Sequence, residues 1–215
     1  MGYFRELPNL DYQSFLSDSN SSQNYLRVKN LFRRCKLRDD LQNTFTLFDK
    51  YEIVSGARPD TVAEEMYGSD ELDWVVLMTA GIINARDEWP LSDKEIYDYS
   101  LDIYGDDLNN VHHWETTEVK DNNGKLILPK GNVVDSTFEI PNPDAYTDTL
   151  NPVAFVTNYE YQVRKNNAKR SIYLLKPGYL QQFLSDMRNA MLYDKSSQYI
   201  TEDLARTENT RVTMP

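Results

Sequence analysis

The clearest pattern of apolar and polar positions runs from Tyr51 to Tyr104. Tyr51 to Val54 is a short apolar run that predicts a strand, and Ser55-Gly56 turns the chain. Pro59 stands where a first helical residue belongs, because its missing N–H would have no helical partner there anyway. The spacing predicts a short helix to Tyr67, ended by Gly68 in the left-handed conformation. A second helix is expected from near Asp70. Its apolar residues Leu72, Val75, Val76 and Met78, extended by Ile82 and Ile83, suit a largely buried helix. Asn84 and Trp89-Pro90 close this part. Ser92 and Glu95 form a capping box that opens a third helix, and Gly105-Asp106-Asp107 ends it.

The flanks read differently. Residues 1–12 alternate weakly around Pro8 and predict an extended arm or edge strand. With Tyr3, Phe4, Leu7, Leu10 and Tyr12, the arm is too apolar to float freely, so it lies on this protein or on a neighbour. Its removal is expected to leave a folded protein that no longer assembles. Residues 17–24 are a polar linker, so 1–24 form one segment. Residues 25–50 read as a basic helical segment: Arg27, Lys29, Arg33, Arg34, Lys36 and Arg38 alternate with Leu26, Leu31, Phe32, Leu37 and Leu41. That patch is either a phosphate site or a solvated, interface-facing edge. The second is favoured, since Asp39 and Asp40 follow at once and no stacking platform accompanies the charge.

Residues 105–215 predict a lobe of hairpins and a helix. Val111–Val119 and Lys125–Leu128 flank Asn122-Asn123-Gly124, a strong turn signal. Residues 129–153 carry four prolines and read as an ordered loop. Val156, Tyr159, Tyr161 and Val163 alternate up to Lys165-Asn166-Asn167, and Ile172–Leu175 returns, which predicts a second hairpin. Leu180, Phe183, Leu184, Met187 and Met191 lie on one face of an amphipathic helix. Residues 202–215 read as a mobile tail or second arm.

Charge sharpens this division. The net charge of −11 is distributed as +2 over residues 1–50, −17 over 51–160 and +4 over 161–215. An acidic middle repels phosphate, so nucleic acid is not expected along it. It suits basic partner surfaces. Fifteen Tyr against eight Phe supply contact area with a polar tip, the composition of an extended wet interface. The single cysteine, Cys35, excludes an internal disulfide and points to a reducing compartment. No apolar run of about eighteen residues and no leader pattern occurs, so neither a spanning helix nor a signal peptide is expected. Glu6 at the sixth position argues against myristoylation.

Catalytic chemistry finds no constellation. His112 and His113 are the only histidines, and adjacent strand residues point to opposite faces, so they are not expected to chelate one metal. No cofactor is expected. The carboxylates cluster at helix ends and turns, where first-turn acids such as Asp60 and Asp93 complement the helix dipole. No phosphate-cradling glycine loop or nucleophile elbow is present.

Two resemblances bear on the Tyr51–Tyr104 stretch. Tyr51 to Val54, Gly56, Asp60-Thr61, Val62-Ala63, Tyr67-Gly68 and Asn84 resemble a LysM module, although Ala57-Arg58-Pro59 separates Gly56 from Asp60 and no closing Ile-Pro strand follows. A narrower likeness uses those departures. Gly56-Ala57-Arg58-Pro59-Asp60, Met66-Tyr67-Gly68, Asp73 to Met78 and Glu88-Trp89-Pro90-Leu91 resemble the baseplate wedge protein 53 family of contractile-tailed phages. Gly2-Tyr3-Phe4 and Leu7 to Tyr12 are similar to that family's N-terminus in the form carried by cyanophage-like members, and Arg170 to Pro177 also fits the family.

The resemblances imply an α+β protein with a LysM-like βαα centre over 51–104, flanking helices, β-hairpins and an extended terminal arm. They imply a non-enzymatic subunit of the virion tail baseplate, added in the host cytoplasm during assembly. It would contact other baseplate wedge proteins and neighbouring wedge copies, with no membrane or nucleic acid. Candidate partner or groove contacts are Tyr3, Phe4, Leu7, Arg58, Asn84, Arg86 and Trp89. The alternative implied by LysM is an N-acetylglucosamine groove near Gly56–Asp60 and Ile82–Arg86, with Tyr67, Trp74 and Trp89 as sugar platforms or, more simply, as core. A cellular adaptor with a LysM-like fold is the third reading.

Overall fold

The computed structural model describes residues 2–13, 25–37 and 46–208. The predicted linker at 17–24 and the stretch after Glu208 lie outside them. The chain divides into two compact units, one of residues 1–53, 57–88 and 172–215, the other of 54–56 and 89–171. The 51–104 stretch is therefore shared between units. Both helices and strands are present, in several small sheets, so the α+β class holds.

In the first unit the helix Pro59–Tyr67 begins and ends as its sequence dictates. Pro59 occupies the first turn, and Gly68 takes φ +72°, with its N–H bonded to the Glu64 carbonyl at 2.9 Å. A 3₁₀ turn, Asp70–Leu72, leads into the helix Asp73–Thr79. Val62, Ala63, Val75 and Val76 are fully buried. The phenol of Tyr67 donates to the Leu175 carbonyl at 2.9 Å, and burial pushes its pKa up to about 12. Strand Ser171–Leu175 pairs with Phe48–Glu52, slightly earlier than the predicted Tyr51–Val54. Leu175 and Phe48 pack with Leu37, and Leu47 and Phe183 close around them. The amphipathic helix Leu180–Met191 forms as predicted, burying Leu180, Leu184, Met187 and Met191.

The N-terminal stretch lies on this protein as a strand, one of the expected alternatives, but inside a sheet and not as an arm or an edge. Tyr3–Glu6 is one helical turn and Asn9–Gln13 is a strand inside a four-stranded sheet. The order is Tyr199–Thr201, Leu204–Arg206, Asn9–Gln13, Tyr25–Lys29. Asn9–Gln13 runs parallel to Leu204–Arg206 and antiparallel to Tyr25–Lys29. Leu7 is only 2% exposed. These residues belong to the protein's own core because strands distant in sequence flank them on both sides. The predicted C-terminal arm is corrected likewise: Leu204–Arg206 is a strand of this sheet.

The basic helical reading of 25–50 is also corrected. Tyr25–Lys29 is a strand, and residues 33–37 carry no regular structure. The alternation of Leu26 and Val28 with Arg27 and Lys29 is a period of two, which suits a strand. Residues 38–45 of that segment lie outside the described residues.

Glu6 ties the first helical turn to the last helix. Its carboxylate accepts from Arg188 Nε at 2.6 Å and Nη2 at 3.1 Å, although the two residues are 182 positions apart. The Arg188 guanidinium holds the Glu6 carboxyl below the usual range. A carboxyl depressed in the folded state contributes stability above its unfolded pKa and loses it as pH falls through the folded one. Arg188→Ala is expected to cost about 2 kcal/mol at neutral pH. The deficit should shrink as pH falls below about 4, the ordinary glutamate range, and vanish only once the depressed Glu6 carboxyl of the wild type has protonated as well. Urea titrations of wild type and variant across pH 3–7 check this.

In the second unit the Ser92 and Glu95 capping box is present and opens the helix Asp93–Tyr104. Val111–Thr116 is the middle strand between Val153–Thr157 and Val133–Val134. The turn at Asn122-Asn123-Gly124 forms, with Gly124 at φ +78°, but the hairpin it joins is short: Val119–Lys120 with Leu126–Leu128. The proline-bearing 129–153 stretch contains another small hairpin, Ile140–Asn142 with Ala145–Leu150.

The second predicted hairpin is corrected, because Asn158–Ala168 is a helix. A second capping box opens it: Thr157 Oγ1 accepts from Glu160 N at 3.2 Å and the Glu160 carboxylate accepts from Thr157 N at 3.2 Å. Two side chains of this helix enter the interior as polar groups. Gln162 donates to the Tyr104 hydroxyl at 3.0 Å, and Asn166 bridges both backbone groups of Leu91.

Candidate assembly surface

The surface with the most exposed binding potential lies in the first unit, where the N-terminal turn meets the helix Asp73–Thr79. Val75 and Val76 anchor that helix inward, which leaves Trp74, Leu77 and Met78 toward its flank. Tyr3 packs against Trp74 with ring centroids 5.7 Å apart, and Trp74 continues to Phe183 at 6.1 Å. Phe4 meets the Tyr3 ring edge-on at 5.7 Å and is 65% exposed. The aromatic series therefore runs from the core to solvent.

A groove of about 700 Å³ opens beside it, lined by Tyr3, Leu37, Trp74, Leu77, Met78 and Ile83. Arg34 and Lys36 put positive charge on its rim. Its volume falls in the range of clefts that seat a ligand or a peptide side chain. Ile83 is 89% exposed, a large apolar side chain held in water. Cys35 also lines the groove, and burial pushes its thiol pKa up, so it stays a neutral, weakly reactive thiol. Tyr3 and Trp74 also line a second hollow of about 430 Å³, edged by Asp70, Glu71 and Asp73. The same two aromatic residues thus line both a hollow with basic residues and one with acidic residues.

The predicted contact residues divide. Tyr3 and Phe4 come together at this surface. Leu7 does not, being core. Arg58 caps the helix Pro59–Tyr67 and holds its guanidinium beside Asp60, with Nε 3.5 Å from Oδ1 and a largely exposed side chain. Asn84 is occupied with its own turn: its Oδ1 accepts from Arg86 N at 3.2 Å and its carbonyl accepts from Glu88 N at 2.9 Å. Arg86 is exposed on the short helix Ala85–Glu88. Trp89 is buried in the other unit. With Trp74 7% and Trp89 9% exposed, neither indole presents a free face for a sugar ring, and the core reading of these aromatics holds. Sequence reasoning quoted Asp73 to Met78 for the family likeness and Arg34 and Leu37 for the basic patch, but it did not bring them together as one groove wall.

The histidine pair is a further correction. Val156 faces His113 and Thr157 faces Val111, so His112 is an extra residue in a bulge. A bulge breaks the strict alternation of strand side chains. The two Nδ1 atoms are 2.8 Å apart. His113 Nε2 lies 2.9 Å from Glu115, which also pairs with Arg164 at 2.6 Å, and His112 stacks on Tyr161 with centroids 4.0 Å apart. The hydrogen bond from His113 and the pairing with Arg164 lower the Glu115 pKa. Among the described residues no group of three or more His, Cys, Asp or Glu side chains is placed to hold a metal ion. No helix among them is long and apolar enough to cross a membrane.

Residues 8–189 match the family model of base plate wedge protein 53. The chain belongs to that family. No curated protein matches it. The wedge protein is accordingly a structural component of a phage virion, located in the tail baseplate, where it assembles with other baseplate proteins. The match spans most of both compact units and includes the basic strand, the groove helix and most of the last amphipathic helix.

Proposed function

We propose that this wedge protein clamps other wedge subunits and joins adjacent wedges as the baseplate assembles in the host cytoplasm. The observation that carries this reading is the groove lined by Tyr3 and Ile83, with bases on its rim and with acids edging a second hollow that shares Tyr3 and Trp74. Apolar seats bordered by opposite charges fix both the position and the orientation of a partner. The exposed Tyr97, Tyr99, Leu101 and Ile103 of the helix Asp93–Tyr104 add apolar and phenolic contact area in the second unit.

Cross-linking mass spectrometry on purified particles tests the reading. Cross-links from Lys29, Lys94 and Lys176 to wedge subunits support it, and absence from the particle sinks it. A sharper test is Ile83→Asp. The side chain is exposed, so stability should change by less than about 0.5 kcal/mol. Incorporation into wedges should fall at least tenfold. Unchanged incorporation would remove the groove from the interface. A glycan-binding function has no observation in its favour.

A further inference from the structure

The strand Tyr25–Lys29 is the last in its sheet. One side pairs with Asn9–Gln13, and among the described residues no strand pairs with the other. Natural edge strands are usually blunted by a charge, a proline or a bulge. Here the bases that would blunt the edge are turned to the protein's own use. Arg27 Nε bonds the buried Asp11 carboxylate at 3.1 Å, and Lys29 Nζ donates to the Leu7 carbonyl at 2.8 Å. The alternate residues Leu26 and Val28 are left 44% and 42% exposed, with Tyr12 beside Leu26 on the paired strand. The chain then presents Leu31 and Phe32, the latter 94% exposed.

Charge specifies what fits there. Residues 25–37 contain Arg27, Lys29, Arg33, Arg34 and Lys36 and no acid. Resting on the baseplate reading for the identity of the partner, we propose that this edge takes an extended segment of another baseplate subunit as a fifth strand. That segment carries apolar side chains at alternate positions, against Leu26 and Val28, and acidic side chains that answer the basic run. Main-chain hydrogen bonds supply affinity in such strand addition, and alternate side chains supply specificity. Nucleic acid fits less well. At least three of the five bases, Arg27, Lys29 and Arg33, are already engaged within the fold, which leaves fewer for the phosphate contacts that dominate such binding.

Hydrogen–deuterium exchange on the full-length protein, free and within baseplates isolated from virions, tests the proposal. The backbone amides of residues 25–29 should gain at least tenfold protection in the baseplate. The double variant Leu26→Glu, Val28→Glu puts repulsive charge on the edge and should lower incorporation at least tenfold in particles complemented with it. Leu26→Thr, Val28→Thr keeps strand propensity and should restore most of it. If the glutamate variant fails to fold, the exchange comparison still decides. A protein present in the particle whose edge amides exchange as in the free state overturns the fifth strand and leaves the baseplate reading intact. Absence from the particle overturns both. Salt-sensitive binding of a labelled 20-nucleotide single strand, lost in Arg33→Ala, Arg34→Ala, with no edge protection, overturns the proposal in favour of a phosphate site.

Discussion

Deleting residues 2–12 is expected to unfold the first unit rather than release a harmless arm. Asn9–Gln13 is flanked by Leu204–Arg206 on one side and Tyr25–Lys29 on the other, so its loss cuts Tyr25–Lys29 off from the Tyr199–Thr201 and Leu204–Arg206 pair. Leu7, buried, contributes about 2 kcal/mol. Glu6 leaves Arg188 without its carboxylate, and Asp11 leaves Arg27 and Arg206 without theirs. Ladder hydrogen bonds contribute about 1 kcal/mol each. Together these approach the ~5–15 kcal/mol that stabilises an ordinary domain. The truncated protein should lose its cooperative thermal transition, followed by far- and near-ultraviolet circular dichroism. A transition kept within about 5 °C of the full-length protein would restore the arm reading, with Leu7 dispensable to the core.

Asn166→Ala should be the most damaging single polar substitution in the second unit. The Asn166 side chain, almost wholly buried, behaves like a strand partner for one residue. Its Oδ1 accepts from Leu91 N at 2.8 Å and its Nδ2 donates to the Leu91 carbonyl at 2.9 Å. Alanine abandons a buried donor and a buried acceptor at once, at about 1–3 kcal/mol for each group left unpaired. The expected loss is about 3 kcal/mol in urea unfolding. Asn166→Asp should be no milder, because it retains the acceptor but turns a carboxylate oxygen toward the Leu91 carbonyl. Asn167, exposed beside it on the same helix, is the control: Asn167→Ala should change stability by less than about 0.5 kcal/mol. Equal effects at the two positions would show that helix propensity, not the bridge, sets the cost.

The two positions also explain why that helix was hard to read. Asn158–Ala168 buries Gln162 and Asn166, not an apolar stripe. Val156, Tyr159, Tyr161 and Val163 therefore mimic the alternation of a strand. The Thr157 and Glu160 capping box is the local signal that separates the two readings. The partners that make buried amides tolerable, Tyr104 and Leu91, lie 58 and 75 residues away, beyond the reach of any sequence window. His112 misleads for a related reason. The bulge that gathers the two imidazoles depends on the register against Val153–Thr157, and register is a property of the pair.

The candidate surface divides in the same way. Tyr3 and Phe4 stood out as apolar residues with no obvious place in a core, and they lie on it. Leu7 stood out identically and is buried, because it follows the helical turn Tyr3–Glu6 directly, and no local pattern says what will cover that position. Arg34, Leu37, Met78 and Ile83 meet only because the loop after the basic strand returns to the groove helix.

What the sequence determined by itself is local and chemically enforced. Pro59 starts a helix, Gly68 ends it, Ser92 and Glu95 cap the next, and the apolar stripe from Leu180 to Met191 makes one more. Each rests on contacts within a few residues, where chain connectivity already holds the partners close. The turn and apolar residues it quoted were also enough to place the family. What only the tertiary structure decided is every pairing paid for by long loop closure: the parallel neighbour of Asn9–Gln13, the Glu6–Arg188 pair and the Asn166 bridge. Ordering such contacts costs chain entropy that grows with separation. They form because many close together in one cooperative fold, which no single stretch of residues encodes.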